Sequence, residues 1–375
     1  MSSSTTTALS RRPLKEVLEG VADPGDRRGV RHALTAVLCL AVVGVLAGCR
    51  TLGAMREHVA DLEPADLGDL DLEEGRALPS ESTIRRVLQR VNADDLDARV
   101  SSWLRTRVGA IGGRRVIAVD GKTMRGARGA GERAPHLLAA LDQAGGVVVG
   151  QRRVADKSNE IPALRDLLEP LDLDGAVITA DATAHPEGHG RVDHLPRRPL
   201  RAHRQGQPAR PEAGAGEAAL EGRALHLRPR RLPRAQGAAH RPGRRGARVD
   251  RLPRRRPGDP DQTHQNRQGG GSASRWSTRV CSLPMDQAPP EQVASWARGH
   301  WTIENRLHWI RDVVFDEDRH RLRTGNAPQV MAALRNLAIS LIRLAHGPAA
   351  SIAATTRAMA PRPRRAIDLI TRPPR

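Results

Sequence analysis

A long interruption near the middle of the chain limits what this sequence can fold into. The 75 residues at 186–260 include 19 Arg and 11 Pro. They contain only nine Val or Leu, and no Ile, Phe, Met, Trp or Lys. The nine apolar side chains follow neither the period of a strand nor that of a helix. So little apolar surface cannot offset the entropy lost on folding, and we predict that residues 186–275 are disordered.

Two origins explain this interruption. Its 19 Arg and seven acidic residues leave an excess of 12 positive charges, most of the chain's net +19, as in a genuine arginine-rich segment that binds nucleic acid. The same mixture of Arg, Pro, Ala, Gly and His arises when GC-rich DNA is translated out of frame. We favour the frame-shift, because the ordered pattern stops and restarts without a linker-like transition. The five histidines of the segment then have no meaning as ligands.

The charge and the cysteines restrict the class of protein. With 61 Lys and Arg against 42 Asp and Glu, the chain favours a polyanionic partner, nucleic acid before anionic membrane. Cys39, Cys49 and Cys281 form no metal-ligand pattern and exclude a secreted disulfide scaffold, so we expect a reducing cytoplasm. The apolar residues 33–48 are shorter than the ~20 needed to cross a bilayer, and we interpret them as a buried helix rather than a membrane span.

The chain before the interruption is predicted to hold a helical part and an α/β part. After a disordered tail at residues 1–12, residues 13–110 have helical periodicity. Ser80 or Ser82 can cap one helix there, and Asn92 can cap the next. Arginines on the polar side of the first of these helices could read DNA, although a solvated face is the commoner explanation; they are Arg85, Arg86 and Arg90.

Residues 111–185 change to short apolar runs typical of strands. Residues 116–119, 136–141 and 146–150 predict three strands, and an amphipathic helix opened by Ser158 or Asn159 leads to a fourth at 176–180. A crossover helix allows the first and fourth strands to lie side by side. Asp120 and Asp181, which follow them, would then meet at one edge of the sheet.

Order returns at residues 276–345, ahead of a basic tail at 346–375. Glu304 stands in an apolar, aromatic stripe of a helix that begins at Pro290, and a second helix covers residues 327–345. A carboxylate in such a stripe needs a partner, either a metal ion or a cation such as Arg298 or Arg311. Three converging carboxylates favour Mg²⁺ or Mn²⁺, and two such ions would support phosphoryl transfer on DNA.

Several blocks of sequence point to a known family. They are VDGKT at 119–123, DKSNEI at 156–161, ITADA at 178–182 and RGHWTIENRLHW at 298–309, joined by PSESTIRRVL at 79–88, RDVVFDEDR at 311–319 and LRNLAI at 334–339. In this order they resemble the DDE transposases of bacterial insertion sequences, in the branch with an N-terminal helical transposase-associated domain. The resemblance covers roughly residues 13–185 and 276–345.

The resemblance implies an RNase H-like α/β core and a set of site residues. Asp120, Asp181 and Glu304 would be the catalytic acids and would bind two Mg²⁺ or Mn²⁺ ions. His300 and Arg311 occupy the places at which related transposases carry a DNA-binding arginine and lysine. The residues for which we expect DNA contact are Lys122, Arg125, Lys157, Asn159, Arg298, His300, Arg306 and Arg311. The implied partners are the element's ends, the target DNA and further copies of the chain, at the nucleoid and not at a membrane.

One departure from the family bears on activity. After the block at 178–182 the family continues with a helix and with a strand that carries a Lys-Asn-Gln turn, and residues 186–275 contain neither. We therefore predict a degenerate copy of a transposase. Three alternatives remain open: a non-catalytic arginine-rich protein that binds nucleic acid, an RNase H-type nuclease that hydrolyses without strand transfer, and an unfolded pseudogene product.

Overall fold

The structure is a computed structural model that describes residues 12–25, 31–72, 75–108, 114–129, 133–155, 160–180, 225–227, 277–279 and 287–372. The chain forms two units, Met1–Pro199 with Ser295–Arg375, and Leu200–Ala294. The first unit begins with six helices: α1 Leu14–Glu19, α2 Leu34–Leu46, α3 Leu52–Ala60, α4 Pro64–Asp69, α5 Glu81–Arg90 and α6 Ala93–Arg105. The helical character predicted for this part of the sequence is confirmed.

Side-chain caps fix where α5 and α6 begin. Ser80, not Ser82, caps α5, because its hydroxyl accepts the N–H of Thr83 at 3.2 Å. Asn92 caps α6 as predicted, since its Oδ1 accepts the N–H groups of Asp94 and Asp95 at 3.0 and 3.1 Å. These bonds satisfy backbone donors that have no partner inside the first turn of a helix.

The Asn92 cap gives a first stability prediction. Replacement of Asn92 by alanine leaves the Asp94 and Asp95 N–H groups without their acceptor, and should lower the free energy of unfolding by about 1 kcal/mol. Asn92→Asp retains an accepting oxygen and should stay close to the parent protein. Urea unfolding followed by circular dichroism measures both. An equal loss in the two variants would contradict a role for the cap.

Helix α2 is buried on all sides. Twelve of its 13 residues are buried, and it packs against α1, α3 and the long helix α10 at Ala327–His346. This confirms the interpretation of the apolar stretch as an internal helix. Across the described ranges, no helix combines the length and the apolar character needed to cross a bilayer.

Four strands form the sheet that carries the candidate site. They are β1 Val116–Thr123, β2 His136–Asp142, β3 Val148–Val154 and β4 Val177–Ala180, in the order β3-β2-β1-β4. The first three are antiparallel, and helix α7 at Glu160–Leu168 precedes β4, which runs parallel to β1. The predicted neighbours β1 and β4 are thus confirmed. The prediction that β1 ends at Asp120-Gly121 is wrong, because Lys122 and Thr123 also pair with β2.

The C-terminal helices complete the same core as the N-terminal helices. Helix α8 is Pro290–Gly299, and α9 consists of the consecutive segments Trp301–Ile303, Glu304–His308 and Trp309–Val313. Helix α10 contacts α2, α5 and α6 as well as β3, and its apolar side chains share one cluster with theirs. The helical part predicted at residues 13–110 therefore has no separate core.

The segment at residues 346–375, expected to be a basic tail, is helical over most of its length. It forms α11 Ile352–Met359 and α12 Pro363–Thr371. Ala366, Ile367 and Ile370 recur at helical spacing and are fully buried. Helix α12 packs against α1, α2 and α4. Its buried apolar side chains therefore hold the helix in the core, although arginines surround them in the sequence.

The second unit is described only in part. Leu225–Leu227 pairs with Ser277–Arg279 as two short antiparallel strands, β5 and β6. Leu225–Leu227 is an exception to the disorder predicted for residues 186–275, whereas Ser277–Arg279 lies in the part where order was predicted to return. The rest of the predicted interruption lies outside the described residues.

Candidate active site

Three side chains from two distant parts of the sequence meet beside β1. Asp120 lies on β1, and Glu304 and His308 lie on α9. One possible ligand atom of each residue is within 4.8 Å of those of the other two. The structure therefore brings together two of the three predicted acids, Asp120 and Glu304.

The local geometry of α9 places Glu304 and His308 on the same side of the helix. The segment Glu304–His308 is a π-helix, closed by the N–H of Trp309 donating to the carbonyl oxygen of Glu304. Single π-turns inside helices occur frequently at functional sites. Leu307 and His308 are buried, whereas Glu304 is exposed, so this turn anchors the helix and leaves the Glu304 carboxylate accessible.

Sequence reasoning did not identify His308. Its ring Nε2 lies 3.3 Å from Oδ2 of Asp120, so the buried ring makes a close polar contact with that carboxylate. The four-residue spacing between Glu304 and His308 indicates that His308 belongs to the site, because residues four apart lie on the same face of a helix.

Asp120 is held in its charged form. Burial raises the pKa of its carboxyl, but the contact with the His308 ring, the N–H of Gly121 at 2.8 Å and the nearby His300 together outweigh burial. The pKa of Asp120 therefore lies below its ordinary value. A carboxylate that is ionised at neutral pH is the form that binds a divalent cation.

A polar cluster fixes the start of α9 against the sheet. Nδ1 of His300 lies 3.1 Å from the Thr179 hydroxyl on β4, and Nε2 of Gln143 donates to the same hydroxyl at 3.1 Å. His300 is only 8% exposed. This residue, expected to contact DNA, thus lies at the junction between α9 and β4, one turn before Glu304.

The other predicted DNA contacts have different surroundings. Arg125 and Arg298 are exposed and Arg306 is half-buried, so all three can reach a ligand. The Lys122 ammonium forms an ion pair with Asp312 at 2.6 Å. Arg311 is fully buried and paired with Glu317, not with Glu304, and this placement opposes direct contact of Arg311 with DNA. Asp181, Lys157 and Asn159 lie outside the described residues.

The arginines predicted to read DNA lie on α5, whereas the site residues lie on β1 and α9. Arg85 forms an ion pair with Glu81 on α5 and lines a cavity of about 270 Å³. Arg50, Arg319 and Arg321 line the same cavity, whereas Asp120 and Glu304 do not. Arg86 and Arg90 are exposed.

Comparison with known proteins identifies the family. A family model described as "Transposase DDE domain" matches residues 111–341, and one described as "DDE_Tnp_1-associated" matches residues 15–104. The "Putative transposase YncI" of Escherichia coli O157:H7 is 26% identical over 375 residues, which cover 89% of this chain and 88% of that protein. The "H repeat-associated putative transposase YhhI" of Escherichia coli strain K12 is 26% identical over 88% of this chain and 90% of its own length. No solved structure matches. With more than half of its length covered by the first model, the chain belongs to the DDE transposase family.

Proposed function

We propose that this protein cleaves and joins DNA strands at the ends of an insertion sequence, in a reaction that depends on a divalent metal. Asp120, Asp181 and Glu304 are the proposed catalytic acids. The observation that carries the proposal is the convergence of Asp120 and Glu304 next to His308, with ligand atoms within 4.8 Å. Membership of the DDE transposase family supports the same reaction class.

The donor set suits Mg²⁺ or Mn²⁺. Asp120 and Glu304 supply hard carboxylate oxygens, which these cations prefer. Asp181 comes next in the sequence after Ala180, whose Cα pairs with that of Val119 in the parallel register of β1 and β4. That register supports Asp181 as a third carboxylate, and the sheet order β3-β2-β1-β4 supports an RNase H-like core.

The side chains of the candidate site have three roles in the proposed reaction: binding metal, positioning other side chains and binding DNA. Two bound ions would activate water or a 3′-hydroxyl and stabilise the leaving oxygen. Asp120 and Glu304 hold the cations, and the buried His308 ring orients the Asp120 carboxylate. Thr179 and Gln143 position α9 through His300. The guanidinium groups of Arg125, Arg298 and Arg306 bind DNA phosphates, which positions the strand without reading its sequence.

A cleavage and joining assay tests this function. The full chain is mixed with duplex DNA carrying the element's ends, a target duplex and Mg²⁺ or Mn²⁺. New 3′ ends joined to the target support the proposal. Cleaved ends that never join would favour a nuclease instead. Intact DNA, bound with the same affinity by the Asp120→Ala variant, would favour a non-catalytic arginine-rich binder.

We also propose that this copy is degenerate through a frame-shift in codons 186–275. The supporting observation is the composition of residues 186–260, which contrasts with the periodic sequence on both sides. Reading the gene in its other two frames tests this origin. Regular strand and helix patterns with a Lys-Asn-Gln turn would support it, whereas stop codons alone would favour a genuine insert. Restoring the frame should increase strand cleavage, with Asp120 and Glu304 unchanged.

We propose further that the protein acts on DNA as a homo-oligomer at the nucleoid. The basis is the family, since the reaction joins two element ends to one target. Sedimentation of the chain with and without DNA containing the element's ends would measure the number of copies.

A further inference from the structure

A buried cation near the end of α10 reaches the turn that presents Glu304. Arg343 is only 4% exposed. Its guanidinium group donates through Nη2 to the carbonyl oxygen of Arg306 at 2.5 Å, and through Nη1 to the carbonyl oxygen of Gly146. Arg306 lies inside the π-helical segment Glu304–His308, and Gly146 lies between β2 and β3. One side chain thus ties α9 to the turn that joins two strands of the sheet.

We propose that Arg343 is a positioning residue of the candidate active site, which maintains the π-turn and thereby holds Glu304 and His308 beside Asp120. This inference rests on the proposed function, because it takes these three residues as the metal site. An arginine side chain has donors but no acceptor, so it cannot bind a metal ion itself. Arg343 therefore acts on the ligands through the backbone of the turn.

The surroundings of Arg343 show what its charge interacts with. Within the described part of the chain, its hydrogen bonds go to two backbone carbonyls and it forms no ion pair. Burial, together with repulsion from Arg306, lowers the pKa of Arg343 to about 10, so the group is still protonated at neutral pH. A buried cation without an anion is costly unless its hydrogen bonds are made. The two carbonyl oxygens therefore supply the compensation that an acidic partner would give.

The π-turn gains from a donor outside the helix. In an α-helix each carbonyl oxygen accepts from the N–H four residues later, whereas Glu304 accepts from the N–H of Trp309, five residues later. This shift by one residue interrupts the regular ladder of hydrogen bonds. Arg343 donates to a carbonyl midway between Glu304 and His308. Reversion of the turn to a regular α-helix would rotate His308 about the axis by up to about 100°, the angle of one residue, and so move it from Asp120.

The close approach at Gly146 makes the position of the guanidinium specific. Gly146 has a φ of +67°, and a Cβ atom there would lie 2.9 Å from Nη1 and 3.0 Å from Cδ of Arg343. Both distances are shorter than ordinary contacts, so only glycine suits this position. The turn is itself fixed, because Oδ2 of Asp142 accepts the N–H of Gly145 at 2.6 Å. The planar fork of an arginine spans the two carbonyls, which the single ammonium of a lysine does not.

The test measures Mn²⁺ binding to the full chain by electron paramagnetic resonance. Arg343→Met removes every donor but keeps a long side chain. It should weaken Mn²⁺ binding by about 10–100-fold, as the loss of groups that orient metal ligands usually does. Arg343→Lys keeps the charge and can donate to one carbonyl, so it should lose less affinity than Arg343→Met. Parent-like Mn²⁺ binding by Arg343→Met would overturn the proposal.

Ser340→Ala is the matched control, one turn earlier on α10. Ser340 is fully buried, and its hydroxyl accepts the N–H of Val148 on β3 at 3.0 Å. Its replacement also disturbs a contact between α10 and the sheet, but at a residue outside the π-turn. Ser340→Ala should bind Mn²⁺ like the parent chain. A loss as large as that of Arg343→Met would overturn the proposal, because general damage to this part of the core would then explain both.

Hydrogen exchange of the α9 amides keeps the proposal testable if Arg343→Met does not fold. In Arg343→Lys, exchange at residues 304–309 should be faster than in the parent chain, because the bridge to the π-turn is lost. Unchanged exchange there would overturn the proposal. A parent chain that binds no Mn²⁺ would contradict the proposed function. A parent chain that binds Mn²⁺, with affinity and exchange that do not depend on Arg343, would contradict only this inference.

Discussion

Replacement of Glu317 by alanine should lower the free energy of unfolding by about 3–5 kcal/mol, because it leaves two buried cations without their anion. The Glu317 carboxylate accepts from Nε of Arg311 at 2.9 and 3.1 Å and from a guanidinium nitrogen of Arg335 at 2.8 Å. All three side chains are at most 2% exposed. Chemical unfolding of the variant and the parent chain, followed by circular dichroism, measures the difference.

An exposed ion pair provides the control for Glu317. Glu81 pairs with Arg85 on α5, and both side chains are more than 40% exposed. Because water screens this pair, Glu81→Ala should cost less than about 1 kcal/mol. Similar losses for Glu81→Ala and Glu317→Ala would show that the buried arginines do not depend on Glu317.

The same carboxylate predicts how stability depends on pH. Burial alone raises the pKa of Glu317, but Arg311 and Arg335 outweigh burial and lower it to about 2 from an ordinary value of 4.5. Protons thus bind the unfolded chain more readily than the folded one, and the contribution of Glu317 to stability is present above pH 4.5. It is lost as the pH falls from 4.5 toward 2. The parent chain should lose more stability than Glu317→Ala between pH 5 and pH 3.

This ion cluster also shows where sequence reasoning fails. Arg311 was expected at the DNA because of its position after Glu304, yet it contacts Glu317 in the core. Arg311 shares Glu317 with Arg335 of α10, and neither composition nor helical spacing reports that arrangement. Ile367 and Ile370 differ from Arg311, because their helical spacing is visible in the sequence. The surrounding arginines nevertheless led to the prediction of a basic tail, although both side chains are buried.

Local patterns predicted many elements of the fold, including the strands that carry the site. The Asn92 cap, the buried helix α2 and the strands of the sheet all follow from short-range propensity and periodicity. The pairing of β1 with β4 followed from the crossover rule. The π-helical turn that brings His308 to Asp120 did not, because it depends on the packing of α9 against the sheet.

Glu304→Gln and Asp120→Asn should each reduce metal-dependent strand cleavage by at least about 10³-fold, a loss of roughly 4 kcal/mol of transition-state stabilisation. Each amide keeps the size of the side chain and removes the negative charge that binds a divalent cation. The cleavage assay on DNA with the element's ends measures the rate, after the frame is restored if the parent chain is too slow. Mn²⁺ affinity should fall in the same variants, because Asp120 and Glu304 lie in one group of potential ligands.

The variant Asp312→Asn distinguishes the loss of a metal ligand from the loss of a carboxylate that is only nearby. Asp312 is on α9 as well, but it pairs with Lys122 and does not belong to the group formed by Asp120, Glu304 and His308. Its replacement should change cleavage by less than about fivefold, since it alters a partly exposed ion pair rather than the cation site. A rate within tenfold of the parent for Glu304→Gln would remove Glu304 from the catalytic set. If Asp312→Asn then showed the large loss, α9 would present Asp312 rather than Glu304 to the reacting phosphate.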